Sequence, residues 1–296
     1  MKLAPPKQIL KSITQRFIEE TGYIPVVASE IEFYLSGTLT DAFRDDCYKQ
    51  FGEAGILTFE FAEEKAEHHY EISLVHQPDP LRMAESTLLV KKVIGETSMD
   101  HGLGALFTAK PFPDKPGSGL HIHLSLKNKD GLNPFIKKGG EEETATMRAA
   151  IGGLCAMMPE SMPFFAPFED SYARYTAQTN EDEEEGARYN NAPVNISWGG
   201  NNRTTAIRIP SSTLVPENRH LEHRVAGSDA DPTLVIAAVL AGAHLGLTRN
   251  IDAGPKIWGN AFELQYNLPA LPTSLKEATA LFEKGKLLKP YLPAAA

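Results

Sequence analysis

An α+β fold, a mainly antiparallel sheet flanked by helices, is the expectation for this chain, and three observations predict it. Strand-like and helix-like segments are intermixed from end to end. The helix-like segments carry recognisable start and stop residues. No linker-like shift in composition divides the chain, so residues 1–296 are expected to form one domain.

The elements follow in order. Ile9, Leu10, Ile13 and Phe17 share a helical face, and Gly22 stands where a helix C-cap belongs. Residues 26–35 (VVASEIEFYL) are β-rich. Asp41 is placed to cap a helix carrying Phe43, Cys47 and Phe51, ended by Gly55. Strands are expected at 56–61 and 70–75, joined by the acidic loop AEEKAEHH. Asp79-Pro80 opens a long helix that runs to about Asp100, with proline in its first turn. Strands are expected at 104–109 and 120–126 around the Pro- and Gly-rich KPFPDKPGSG. A helix over 142–158 turns Met147, Ile151, Leu154, Cys155 and Met158 inward, and an irregular stretch, 159–192, follows it. Strand-like segments lie at 193–198, 204–209 and 219–225. Asp231-Pro232 opens an apolar helix, and a last helix lies near 274–284.

Composition narrows the function. Asp and Glu outnumber Lys and Arg by 38 to 29, a net charge of −9, so nonspecific nucleic-acid binding is not expected. An acidic chain still accepts anionic substrates where bound cations supply positive charge. Two cysteines, Cys47 and Cys155, exclude a disulfide scaffold and a thiolate zinc cluster. No uncharged run reaches 18 residues and no apolar signal core begins the chain, so a cytoplasmic protein with no membrane span is expected.

Ionisable residues recur two apart on the strand-like segments, which puts them on one face. Glu30 and Glu32 pair in this way, as do His121 and His123, and Glu222 and Arg224. Glu71 follows Tyr70, with Glu63 and Glu64 upstream. Each pair alone has an ordinary reading: a solvated face, a packed histidine or a surface ion pair. Arg203 and Arg208 alone would flank a strand. Together they describe an oxygen-rich face that suits Mg²⁺ or Mn²⁺ better than zinc. Arginines beside such a face are the equipment of phosphoryl transfer. The chain has no P-loop and no kinase motif set.

Four segments in this order resemble the catalytic domain of the glutamine synthetase superfamily: SEIEFYL (29–35), KPFPDKPGSGLHIHLSL (110–126), NAPVNISWGGNNRTTAIRIP (191–210) and ENRHLEHRVAGSDADP (217–232). EHRVAGSDADP and DAGPKIWGNAFE lean toward the γ-glutamylpolyamine and γ-glutamylmethylamide synthetases. The resemblance spans about residues 5–290. It implies the superfamily's guanido-kinase-like catalytic fold. It also implies an ATP- and Mg²⁺- or Mn²⁺-dependent ligase that joins the γ-carboxylate of glutamate, or a related carboxylate, to ammonia or an amine through an acyl phosphate.

By the same resemblance, one cation is held by Glu30, His121 and Glu222. A second is held by Glu32, Glu71 and Glu64, with Glu63 the alternative. His123 and Ser125 are placed by the nucleotide phosphates. Arg203, Arg208 and Arg224 meet phosphate and the glutamate carboxylate. Gly117 lies near the amino-acid end of glutamate, and Arg174 matches an arginine at the glutamate flap.

The chain departs from the pattern in several places. The family's N-terminal β-grasp domain and C-terminal helices are expected to be absent. Glu67-His68-His69 stands where the family has PGQ, and Pro116 replaces an Asn before GSG. TAQTNEDEEEGARYNN replaces a short flap loop, with Asn191 in place of its Glu. These departures suit a homo-oligomer or a separate chain that supplies the missing half-site. They also keep open a nucleotide- and metal-binding pseudoenzyme, and a phosphotransferase to a guanidino acceptor.

Overall fold

The computed structural model describes residues 3–136, 143–175, 192–212 and 215–295. Its centre is a pair of long antiparallel strands, β1 (Ile24–Leu35) and β5 (Leu120–Lys127). Around them lie β2 (Ala62–Glu63), β3 (His69–Ser73), β4 (Ala105–Leu106), β6 (Trp198–Gly199), β7 (Ile207–Arg208) and β8 (Leu221–His223). The order across the sheet is β2-β3-β1-β5-β8-β7-β6, with β4 paired to β1. Every pairing is antiparallel except β6 with β7. The α+β, mainly antiparallel expectation therefore holds.

One face of the sheet is apolar and lies against helices. Ile31, Phe33, Ile72, Leu120, Ile122 and Leu124 are buried in the main core. The helices are α1 (Pro6–Thr21), α2 (Asp41–Glu53), α3 (Pro80–Asp100), α4 (Ala145–Phe165), α5 (Pro232–Arg249) and α6 (Leu275–Lys284). α1 and α3 pack on β1, and α5 packs on β5. Ser29, alternating onto this apolar side, is satisfied by Thr87 of α3 at 2.6 Å. α4 and α5 cross with backbones almost touching. A Cβ on Gly246 would lie 1.9 Å from the Ala149 carbonyl oxygen. By length and composition α5 is apolar enough to cross a membrane, but 78% of it is buried inside the molecule.

Several boundaries move. Thr40, not Asp41, caps α2, because its side chain accepts the Phe43 N–H. Residues 56–61 form no regular strand. They keep single backbone bonds to β3 and its end (Phe59 N to Ser73 O, 2.9 Å), while Leu57 and Phe59 stand 71% and 58% exposed. Ile56 and Phe61 pack into the core at its two ends, but its middle is left uncovered. The strands expected at 104–109, 193–198, 204–209 and 219–225 shrink to two or three residues each. Pro193 and Pro210 offer no ladder donor, which helps to cut two of them short.

α4 runs on to Phe165, through Pro159 and Pro163. An interior proline costs about 3 kcal/mol. Met162, Phe164 and Phe165 are buried beyond the first of them, each contributing roughly 1.5–3 kcal/mol. Burial wins, and the helix survives. Cys155, expected inward, is only partly buried. The rewritten flap, 176–191, lies outside the described residues.

Candidate active site

Strand register assembles the polar face. Opposite Glu30 on β1 stand His121 on β5 and Ser73 on β3. Glu32 stands opposite Glu71 of β3. Glu222 on β8 lies between His123 of β5 and Arg208 of β7. A one-residue slip of any strand would send its member of the set into the apolar layer. The expected alternation is therefore realised, and most of the sequence-predicted residues gather here.

Glu30 is the hub. Its two oxygens meet His121 Nδ1 at 2.8 Å and His123 Nε2 at 3.1 Å. Burial pushes the Glu30 carboxyl up, but hydrogen bonds from the two imidazoles override this and hold it well below the usual range. Glu32 accepts the Gly119 N–H at 2.7 Å and lies 3.7 Å from His121 Nε2. The turn before β5 is glycine-rich because side chains have no room there. A Cβ on Gly119 would sit 2.5 Å from His121 Nε2, and one on Gly117 would sit 2.5 Å from the Ala109 carbonyl.

Two carboxylate-rich groups of potential cation ligands converge. One is Glu32, Glu64 and Glu71. Glu64 reaches it, whereas Glu63 is exposed on β2. The other is Glu30, Glu32 and His121. Glu222 lies 3.5 Å from His121 Nδ1 and is held by two guanidiniums. Arg208 Nη1 bonds one of its oxygens at 2.7 Å and Arg224 Nη1 bonds the other.

The remaining predicted residues are more scattered. Arg174 is 1% exposed and bonds the carbonyls of Arg224 and Val225 from Nη1, bracing the chain behind Gly117 and Gly119. Arg203 is exposed, close enough to Glu64 for its charge to oppose, without cancelling, the upward push on that carboxyl. Ser125 lines a cavity of about 450 Å³ with His76, Phe59 and Lys127. His76 connects that cavity to the polar face, its ring 5.8 Å from that of His123.

Residues 38–295 match the family model for the glutamine synthetase catalytic domain. The chain belongs to the glutamine synthetase family. It is 30% identical to γ-glutamylputrescine synthetase PuuA of Escherichia coli K12, over 97% of this chain and 64% of that protein. It is 29% identical to a glutamate–isopropylamine ligase of a Pseudomonas species, over 99% of this chain and 67% of the relative. Among solved structures, a GmaS/ADP complex superposes with a TM-score of 0.83 at 25% identity, covering 98% of this chain and 70% of that one. The chain thus spans about two thirds of the length of these glutamine synthetase relatives.

The donor set fits the divalent cations that a glutamine synthetase implies. Burial, then the charge of Glu30, pushes the Glu71 carboxyl up to about 11. Burial and Glu32 raise Glu64 as well. His121 Nε2 is buried without a hydrogen-bond partner among the described residues. Carboxylates crowded this closely are relieved by a cation, and oxygen-rich donors favour a hard one.

Sequence reading missed three histidines here. His69 lies 3.9 Å from Glu32, stacks on Tyr34 at 4.2 Å and meets Ser118 at 3.1 Å. Its signal was its place two residues before Glu71. His220, two before Glu222, carried the same alternation signal. His76 lies past the end of β3, where no strand pattern points to it.

Proposed function

We propose that this chain is the catalytic part of an ATP-dependent ligase that joins the γ-carboxylate of glutamate to an amine. The observation that carries it is the convergence of Glu30, Glu32, Glu64, Glu71 and His121 on one sheet face, beside two guanidiniums clamped on Glu222. In this reading residues 1–296 work as one catalytic domain, since β1, which precedes the matched family segment, is the strand that carries Glu30 and Glu32.

Glu32, Glu64 and Glu71 would hold one Mg²⁺ or Mn²⁺, and Glu30, His121 and Glu222 or Glu32 a second. Bound there, the cations would offset the charge of the triphosphate and of the attacking carboxylate. The nucleotide would lie along the cavity at Ser125, with its phosphates toward His123. Arg203, Arg208 and Arg224 would orient phosphate and the carboxylate of glutamate, with Gly117 and Arg174 shaping the amino-acid end. The γ-carboxylate attacks the terminal phosphorus, and ADP leaves. The amine then attacks the acyl carbon, and phosphate and a proton depart.

The named activities of the relatives, with putrescine and isopropylamine, favour an alkylamine or diamine acceptor. Leu57, exposed near β3, offers apolar surface for a neighbouring subunit or chain.

The test is ADP release from MgATP or MnATP with L-glutamate, with and without a panel of alkylamines and ammonia. Amine-dependent release is expected. Nucleotide binding without release under any of these conditions would replace the ligase with a binding protein that does not turn over.

A further inference from the structure

Three imidazoles meet beside the two carboxylate-rich groups. His123 of β5, His220 just before β8 and His76 just after β3 each offer one ring nitrogen, all within 4.8 Å of one another. The ring centroids are 5.0 Å apart for His76–His220 and for His123–His220.

Hydrogen bonding fixes which nitrogens are free. His123 Nε2 faces Glu30 Oε2 at 3.1 Å. An ionised carboxylate only accepts, so Nε2 carries the proton, and in the neutral ring that binds a metal Nδ1 keeps the lone pair. That Nδ1 is buried and has no partner among the described residues. His220 Nδ1 donates to the Asn218 carbonyl at 2.5 Å, which leaves the lone pair on Nε2. His76 Nε2 is also buried and unpartnered among the described residues.

Two of the three rings thus spend one nitrogen on a carboxylate or a carbonyl and leave the other free. Metal-ligating histidines are oriented in this way. Without an ion, two buried ring nitrogens stay unsatisfied, which native proteins rarely tolerate.

We propose that His76, His123 and His220 form a binding site for an imidazole-preferring divalent ion of the Zn²⁺ class. Imidazole sets select zinc, cobalt, nickel or copper over Mg²⁺ and Mn²⁺, which prefer the neighbouring carboxylates. Three protein ligands leave a fourth position open. His76 also lines the cavity at Ser125, so that position faces solvent-accessible space.

The test is a titration of the full chain with Co²⁺ alone, without nucleotide, in excess Mg²⁺ to fill the carboxylate groups. One equivalent should give the visible absorption of four-coordinate cobalt, bleached by one equivalent of Zn²⁺. His76→Gln and His220→Gln should each weaken cobalt binding by at least roughly tenfold, the loss seen even for residues that only support a ligand. No four-coordinate spectrum in the unsubstituted protein, or one unchanged in both variants, would overturn the site. X-ray absorption of the unsubstituted protein with one equivalent of Zn²⁺ decides the matter even where a variant fails to fold. Three imidazoles around zinc support the site, and a carboxylate-dominated shell refutes it.

Discussion

Two ends of one polar face treat the same residue type in opposite ways. Toward β2 and β3, Glu64 and Glu71 lie among other carboxylates, and burial with mutual repulsion pushes both carboxyls up. Toward β7 and β8, Glu222 is at least as buried. Burial is the largest single influence and would raise it too, but the charges of Arg224, His121 and His123 together outweigh it and hold the carboxyl at about 2. The sheet supplies the counter-charge at one end and leaves it to an outside cation at the other. Burial alone does not decide the charge of a carboxylate; its partner does.

The largest test breaks the neutralised end. Glu222→Ala leaves the buried Arg224 without its counter-charge. It is expected to destabilise the chain by about 3–5 kcal/mol in urea denaturation. A loss under 1 kcal/mol would mean that the clamp does not hold this end together.

The cation-seeking end should respond to Mn²⁺ instead. At a hundredfold excess over the dissociation constant, stabilisation of about 2.7 kcal/mol is expected in thermal unfolding. Glu71→Gln should abolish most of that gain. It should leave metal-free stability within about 1 kcal/mol of the parent, because Glu71 is already uncharged at neutral pH. A large metal-free penalty would contradict this picture.

A third test probes burial without any partner. His223, on the apolar side of β8 and 4.7 Å from the Phe165 ring, is pushed down to about 3 by burial. The unfolded side chain takes up its proton near pH 6.5, the folded one only near 3. Between these values the unfolded chain binds more protons, so stability falls as pH drops. The slope is at most about 1.4 kcal/mol per pH unit from this residue. His223→Leu should flatten the profile over that window; an unchanged slope would assign the acid sensitivity elsewhere.

The smallest effect is expected for the exposed pair Lys7–Glu85, 2.8 Å apart with side chains 64% and 49% exposed. Lys7→Ala should shift stability by no more than about 0.5 kcal/mol. The separation is close to the 2.7 Å of Arg208–Glu222, which is far more buried.

The polar face was legible in sequence because strand alternation is a strict period. Glu30/Glu32, His121/His123 and Glu222/Arg224 needed only that rule. The helices were legible through their caps, as at Gly22 and Asp79. Strand lengths were not, because pairing depends on cover that comes from elsewhere in the chain, and Leu57 and Phe59 lack it. The path of α4 through two prolines was hidden for the same reason. The grouping of the ligands was hidden too. Which carboxylates meet depends on where Arg208 and Arg224 hold Glu222, and no spacing encodes that. The pattern with His76 was illegible because it joins the interior of β5 to the segments flanking β3 and β8.

Glu32 belongs to both carboxylate-rich groups. The two positions are therefore not independent compartments. An ion in one group draws on the same carboxylate that the other would use, and the second ion meets a site with less negative charge. Filling would be ordered, with a tighter first step and a weaker second. A titration read as two equal, separate sites would misstate both affinities.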